Sequence, residues 1–142
     1  MHKIYVGCGL TQAPEEFRQY VQRFKEKLKG LPNIEVLEFL GLVNGTAAQV
    51  YQTDMASVER CDMFVAICEY PSTGLGMEIE HARVFNKPTL CLHFGATVTR
   101  MLIGAHDLRL LELRAYRVLT EDGFRTVKEF IARRADRALA VG

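Results

Sequence analysis

The feature that most constrains the fold is a regular alternation of short apolar runs with longer segments of helical periodicity. One of the apolar runs, Met63 to Cys68, contains no polar side chain, which is typical of a central strand buried on both faces of a parallel sheet. Strands that alternate with helices in this way predict an α/β domain, a doubly wound parallel sheet of about five strands with helices on both faces.

The boundaries of the predicted elements follow from the apolar periodicity and from the glycine, proline and hydroxyl residues between segments. Strands are predicted at Lys3–Val6, Ile34–Leu37, Met63–Cys68 and Thr89–His93, and within Leu108–Val118. Helices are predicted at Pro14–Lys29, from a Thr46 N-cap to Arg60, and at Met77–Asn86, Arg100–Ala105 and Asp122–Leu139, with a loop over Phe39–Gly45.

Length and composition narrow the class of protein. A chain of 142 residues predicts a single domain over 1–142. The formal net charge of +1 gives no reason to expect nucleic acid or an acidic membrane surface as a partner, and no stretch is apolar enough to cross a bilayer. The chain opens without a signal peptide and its four cysteines show no paired or metal-ligand spacing, so we expect a reduced cytoplasmic protein with no metal and no cofactor.

The segment from Tyr70 to Glu78 is the clearest functional motif. It follows a predicted strand, contains two glycines, and leads into the predicted helix at Met77. A turn of this kind between strand and helix commonly holds a phosphate or a sugar, at the carboxyl edge where α/β sheets bind ligands. The pattern predicts that Glu78 lies in the first helical turn, where the helix dipole would keep it ionised.

A second glycine turn, Gly7-Cys8-Gly9, follows the first predicted strand and can face the same crevice. It lacks the third glycine of a dinucleotide fingerprint, and the sequence contains no Walker lysine. A tight strand-to-helix turn explains these glycines as well as a ligand contact does.

Two carboxylates suggest a reaction. Asp54 on its own reads as a solvated helix residue, but together with Glu78 it forms a candidate pair of the kind that cleaves glycosidic bonds. In such a pair one carboxylate attacks the anomeric carbon and the other manages the proton. Tyr5, in the first predicted strand, fits either a core or a site role.

The run from Tyr70 to Leu92, the opening Lys3–Gly7 and the spacing from Asp54 to Glu78 together resemble the nucleoside 2-deoxyribosyltransferase superfamily. That superfamily includes the 2′-deoxynucleoside 5′-monophosphate N-glycosidases, and Arg100–Ala105 extends the resemblance. It implies a Rossmann or flavodoxin-like domain that binds a nucleoside or nucleotide and cleaves its N-glycosidic bond, as a hydrolase or as a transferase.

The resemblance also implies roles for individual residues. Glu78 would be the nucleophile, Asp54 the acid/base, and Tyr5 would orient Glu78 or the sugar. Thr99 matches a hydroxyl residue that reaches a neighbouring subunit's site, which implies a homodimer or larger homo-oligomer with shared active sites. The substrate-binding residues would be Gly7, Gly9, Ser72, Gly74, Gly76 and Thr99.

Two departures leave the subfamily open. The N-glycosidases carry a phosphate-binding serine and arginine in the first loop, where this chain has Gly9 and Thr11. The transferases carry an aspartate where this chain has Ser72, and an aspartate would repel a phosphate. The sequence therefore leaves two alternatives open. The reaction is that of a hydrolase or a transferase, and the substrate is a phosphorylated or a free nucleoside.

The same residues allow two rival interpretations. Glu78 and His81 form an ExxH pair, but the di-iron proteins that use this spacing need a second pair, and the sequence has none. A nucleotide-binding sensor module without catalysis is the other alternative. The basic run Arg133-Arg134, with Arg137, is expected on the solvent face of the last helix.

Overall fold

The computed structural model describes residues 1–38, 45–95, 98–106 and 109–141. Within these residues the strands are β1 (His2–Cys8), β2 (Ile34–Leu37), β3 (Met63–Ile67), β4 (Thr89–Phe94) and β5 (Leu111–Tyr116). The α-helices are α1 (Glu15–Lys29), α2 (Ala47–Arg60), α3 (Thr73–Val84), α4 (Arg100–Ala105) and α5 (Phe124–Val141), and one π-helical turn, Leu119–Gly123, precedes α5. No helix in the described ranges is long and apolar enough to span a membrane.

The five strands form one sheet in the order β2-β1-β3-β4-β5, and every neighbouring pair is parallel. This is the flavodoxin-like order, in which the chain changes direction across the sheet between β1 and β3. The predicted doubly wound α/β class is therefore confirmed. Ligands in such sheets bind outside the carboxyl ends of the strands at the switch point.

The two faces of the sheet bury different helices. Alternate residues of β1 point to opposite sides: Ile4 and Val6 pack in a cluster with α1 and α5, whereas Tyr5 packs with α2 and α3. All five residues of β3 are buried, which confirms the prediction that this apolar run is a central strand.

A capping box explains why the start of α2 lies where the sequence predicts it. Thr46 caps α2: its side chain accepts from the backbone N–H of Gln49 at 3.2 Å, while the Gln49 side chain accepts from the Thr46 N–H at 2.8 Å. β1 continues to Cys8, two residues beyond the prediction. Of the predicted loop over Phe39–Gly45, residues 39–44 lie outside the described residues.

The predicted glycine turn before the third helix is wrong. Helix α3 begins at Thr73, so Gly74 and Gly76 are helical rather than part of a turn. Ser72 is the N-cap, and its hydroxyl accepts from the Leu75 N–H at 3.1 Å. Capping by Ser72 starts the helix early and outweighs the low helix propensity of glycine.

The expected solvent exposure of Arg134 is also wrong. Its guanidinium is buried, donates to the Arg109 carbonyl at 2.5 Å and lies 3.4 Å from Glu112 on β5. Arg133 donates to the same carboxylate at 2.6 Å. Because Glu112 is itself buried beneath α5, it requires cationic partners there.

Candidate active site

A small cavity of about 150 Å³ lies at the switch point, where β1, α2 and α3 meet. It brings together residues that are far apart in the sequence, including both carboxylates of the predicted pair. The lining residues are Tyr5, Gly7, Cys8, Leu10, Thr11, Val50, Asp54, Ser72, Gly74, Leu75 and Glu78.

Glu78 is the sixth residue of α3 and is 7 % exposed. Burial raises the pKa of its carboxyl from 4.5 to about 7; the Tyr5 hydrogen bond lowers it, the charge of Asp54 raises it and the charge of Lys25 lowers it. The prediction that Glu78 lies in the first helical turn is wrong, because α3 begins at Thr73 and Glu78 lies in its second turn.

Tyr5 serves both the core and the site. Its ring stacks on Phe64 with a centroid separation of 5.5 Å, and its hydroxyl donates to Oε2 of Glu78 at 2.5 Å. Burial and the neighbouring charge of Glu78 raise the pKa of the phenol well above its ordinary value. Tyr5 therefore stays neutral near pH 7 and can act as a fixed hydrogen-bond donor to the carboxylate.

Asp54 lies on α2 and lines the same cavity as Glu78. It also lines a second cavity of about 410 Å³ that continues outwards between α2 and α3, past the side chains of Tyr51, Met55 and Met77. The two carboxylates therefore lie where a small cavity of mixed polar and apolar lining meets a larger and more apolar one.

Three of the predicted binding residues line the Glu78 cavity. Gly7 is at the end of β1, where an added Cβ would lie 3.1 Å from the Phe64 ring and 3.2 Å from Leu75. Ser72 combines its capping role with a place in the cavity wall, and Gly74 follows in the first turn of α3.

The other three predicted binding residues lie elsewhere. Gly9 is absent from the cavity lining, and Gly76 and Thr99 line neighbouring cavities, among them one of about 750 Å³ between α3 and α4. Thr99 caps α4 by accepting from the Met101 N–H at 3.3 Å. The chain's own fold therefore does not bring Thr99 to Glu78.

Gly9 is where the loops after β1 and β3 touch. A Cβ at this position would lie 2.6 Å from the Tyr70 carbonyl oxygen and 2.9 Å from the Ser72 Cβ. Only a glycine lets the first loop come this close to Ser72, the residue that caps α3. Gly9 therefore helps to position the cavity wall without lining the cavity itself.

Replacing Gly9 with alanine is expected to destabilise the protein by about 1 to 3 kcal/mol, because backbone must move to relieve the overlap. Urea unfolding would measure the loss. Gly104→Ala is the matched control, since a Cβ there meets nothing within 4 Å. Equal stability of the two variants would show that the loops can separate freely.

Sequence reasoning missed several members of the site. Val50 lines the cavity one helical turn before Asp54, and the four-residue spacing on α2 would have found it. Arg18 donates from Nη2 to the Leu10 carbonyl at 3.1 Å, so a side chain from α1 reaches the first loop. No motif in the sequence marks that contact.

The metal interpretation gains no support from the described residues. Among them, no group of three or more histidine, cysteine, aspartate or glutamate side chains is arranged to hold a metal ion. His81, the second member of the ExxH pair, lies 2.9 Å from Glu59 of α2 instead.

No known family profile matches the chain. Individual relatives do match. The chain is 31 % identical over 105 residues to the 5-hydroxymethyl-dUMP N-hydrolase of Branchiostoma floridae, covering 68 % of this chain and 98 % of that protein. It is 39 % identical over 72 residues to a Methanosarcina mazei protein provisionally named 2′-deoxynucleoside 5′-phosphate N-hydrolase 1, covering 50 % of this chain. The chain spans only 44 % of that protein's length.

Solved structures share the fold. A CMP N-glycosidase from Clostridium botulinum, BcmB, superposes with a TM-score of 0.67 at 16 % identity, covering 89 % of this chain and 98 % of that one. A 2-desoxiribosyltransferase from Leishmania mexicana superposes with a TM-score of 0.59 at 16 % identity, covering 78 % and 77 %.

The sheet order and the buried carboxylate at its switch point define a flavodoxin-like α/β domain with a cavity at the carboxyl edge, where such sheets bind ligands. The similarity to the Branchiostoma protein over almost its full length makes the assignment specific. The chain belongs to the nucleoside 2-deoxyribosyltransferase-like family.

Proposed function

We propose that the protein cleaves the N-glycosidic bond of 2′-deoxynucleosides or their 5′-monophosphates, with Glu78 as the nucleophile. The observation that carries the proposal is the buried Glu78 carboxylate, which accepts a hydrogen bond from Tyr5 at 2.5 Å and shares its cavity with Asp54. The names of the relatives, N-hydrolases of deoxynucleotides, support the same reaction.

The proposed chemistry has two steps. The Glu78 carboxylate attacks the anomeric carbon as the bond to the base breaks, and Asp54, directly or through water, gives the departing base its proton. The resulting glycosyl ester is then opened by water, which regenerates the carboxylate, or by a second base, which forms a new nucleoside; in either case the attacking molecule returns a proton to Asp54. Tyr5 fixes the attacking carboxylate through its hydrogen bond.

The two adjoining cavities fit the two halves of such a substrate. The cavity of about 150 Å³ offers the hydroxyl of Ser72 and backbone near Gly7, which suits a sugar. The apolar cavity of about 410 Å³ beyond Asp54 suits a flat base. Glu78 lines both, as a group that attacks the bond between sugar and base must.

A panel of nucleosides and nucleoside 5′-monophosphates, each with and without an acceptor base, tests the proposal by chromatography. Release of free base without acceptor identifies a hydrolase, and a new nucleoside identifies a transferase. Binding of nucleotides with no turnover in either condition would favour the sensor module and overturn the enzyme. The four cysteines are free thiols, three of them buried, which fits the cytoplasmic location that we include in the proposal.

The proposal includes a homodimer. Exposed apolar side chains from α2, α3 and α4 form one face around the cavity of about 750 Å³. These side chains are Tyr51, Met77, Val84 and Met101. Thr99 lines the same cavity, away from its own Glu78, which supports a second copy as the occupant that receives it. A large unpartnered apolar face is typical of an interface.

Replacing Met101, 83 % exposed, with glutamate is expected to shift the protein to a monomer, because a charge would be buried at the interface. Light scattering after size exclusion would measure the mass, and base release should fall with it if the sites are shared. Val118→Glu is the matched control, an exposed apolar residue on another part of the chain. A wild type that is already monomeric at assay concentration would contradict the dimer.

A further inference from the structure

Helix α1 carries two cations on one side that are shielded from solvent to different degrees. Arg18 and Lys25 are seven residues apart, about two helical turns, so they lie on the same side of the helix. Lys25 is 2 % exposed, whereas the Arg18 side chain is 36 % exposed. Arg18 therefore remains reachable from solvent, and Lys25 does not.

Arg18 is joined to the wall of the Glu78 cavity. Its Nη2 donates to the carbonyl of Leu10 at 3.1 Å, and Leu10 and Thr11 both line that cavity. Its carboxylate neighbour, Glu15, is 3.9 Å away and mostly exposed, which makes for a weak ion pair.

One hydrogen-bond donor of the Arg18 guanidinium is not used within the described residues. The Nε of Arg18 is buried and has no hydrogen-bond acceptor among the described residues. A buried N–H without an acceptor costs free energy, so its presence beside the first loop needs a reason. A small movement of the side chain towards an anion would satisfy it.

The charges give the cavity a polarity. Cys8 lines the cavity, and burial raises the pKa of its thiol to about 11; the positive charges of Lys25 and Arg18 act in the opposite direction, and the negative charge of Glu78 acts with burial. Arg18 is therefore on the first-loop side of the cavity, through its bond to the Leu10 carbonyl, whereas the two carboxylates, Glu78 and Asp54, line the cavity from α3 and α2. A substrate with an anion at one end and a base at the other has one favourable orientation in such a field.

We propose that Arg18 is the residue that selects a 5′-phosphomonoester in this chain, acting from α1 across the first loop at Thr11. The inference rests on the proposed function and assigns the group that reads the 5′ end of its substrate. A planar guanidinium can bind two phosphate oxygens at once, and the deeply buried Lys25 adds a second positive charge behind it. In this arrangement the phosphate is held on the first-loop side while the base extends past Asp54.

The test compares Arg18→Gln and Arg18→Lys with the wild type on matched pairs of deoxynucleoside 5′-monophosphate and deoxynucleoside. Arg18→Gln is expected to lower kcat/KM for the monophosphate by about 10-fold or more, mainly through KM, and to change the free nucleoside by less than about twofold. Arg18→Lys should restore part of the loss, and inorganic phosphate should inhibit Arg18→Gln less than the wild type.

Arg23→Gln is the matched control, because Arg23 is an exposed cation of the same helix that lies over the Tyr20 ring at 5.7 Å. It should leave both substrates unaffected. An equal loss on both substrates in Arg18→Gln would assign Arg18 a structural role, and no loss on either would remove it from the site; each result overturns the inference and leaves the proposed function intact.

If the wild type releases base from no substrate, the proposed function fails instead. Calorimetric binding then decides the inference separately, with the same monophosphate and nucleoside pair as probes. Weaker monophosphate binding in Arg18→Gln, with nucleoside binding unchanged, supports it. Equal monophosphate affinity in wild type and variant overturns it.

Discussion

Glu78→Gln is expected to lose base release by roughly 10³-fold or more, because an amide cannot form the glycosyl ester on which the reaction depends. The fold should remain intact, since glutamine keeps the shape of the side chain and can still accept the Tyr5 hydrogen bond. Steady-state release of base, followed by chromatography, measures the loss.

A neighbouring glutamate, Glu80, provides the matched control for this substitution. Glu80→Gln changes the same functional group two residues further along α3, where Glu80 is exposed and paired with Arg83. It should retain activity. Mass spectrometry of acid-quenched wild type should find the glycosyl adduct on the peptide that carries Glu78, and a Glu78→Gln variant with normal turnover would refute the nucleophile assignment.

The same substitution is expected to stabilise the protein at alkaline pH. The pKa of Glu78 is raised by burial from 4.5 to about 7 in the folded state. Between these values the unfolded chain loses the proton that the folded chain keeps, so stability falls as pH rises from 4.5 through 7. Glutamine avoids this loss, which amounts to about 3 kcal/mol above pH 7.

Urea unfolding of wild type and Glu78→Gln at pH 5 and pH 8 would measure this difference. The variant's advantage should widen by about 2 to 3 kcal/mol between the two pH values. Glu80→Gln should not reproduce the widening, because the hydrogen bond from Arg83 lowers the pKa of Glu80 instead. A constant difference across pH would mean that Glu78 ionises at its ordinary pKa when folded.

The fold was predictable because its signals are local. Apolar runs and helix punctuation placed the strands, and the Thr46 and Gln49 side chains fixed the start of α2. The sequence predicts the start of α3 too late, at Met77 instead of Thr73, because the two glycines Gly74 and Gly76 are typical of a turn. Only the Ser72 hydrogen bond to the Leu75 N–H shows that these glycines continue a helix.

The site was predictable only in part, for a physical reason. Asp54 and Glu78 share a cavity, as the sequence led us to expect, and their catalytic roles remain a prediction. The alternation along β1 could not say which face Tyr5 occupies; the pairing of Tyr5 with Phe64 and the hydroxyl contact to Glu78 decide it. Arg18 was missed because its link to the site is a helix side chain reaching a carbonyl, which leaves no spacing to read.

The division of the sheet into two faces has a consequence for engineering. The carboxylates come from α2 and α3 on one face, whereas Arg18 and Lys25 come from α1 on the other. The residues proposed to break the glycosidic bond and the residues proposed to bind the 5′ end of the substrate are thus carried by different helices, on opposite faces of the sheet. A library of variants confined to the solvent-exposed positions in the first turns of α1 could therefore be screened for substrates with a new 5′ substituent. The residues proposed to break the glycosidic bond would stay unchanged.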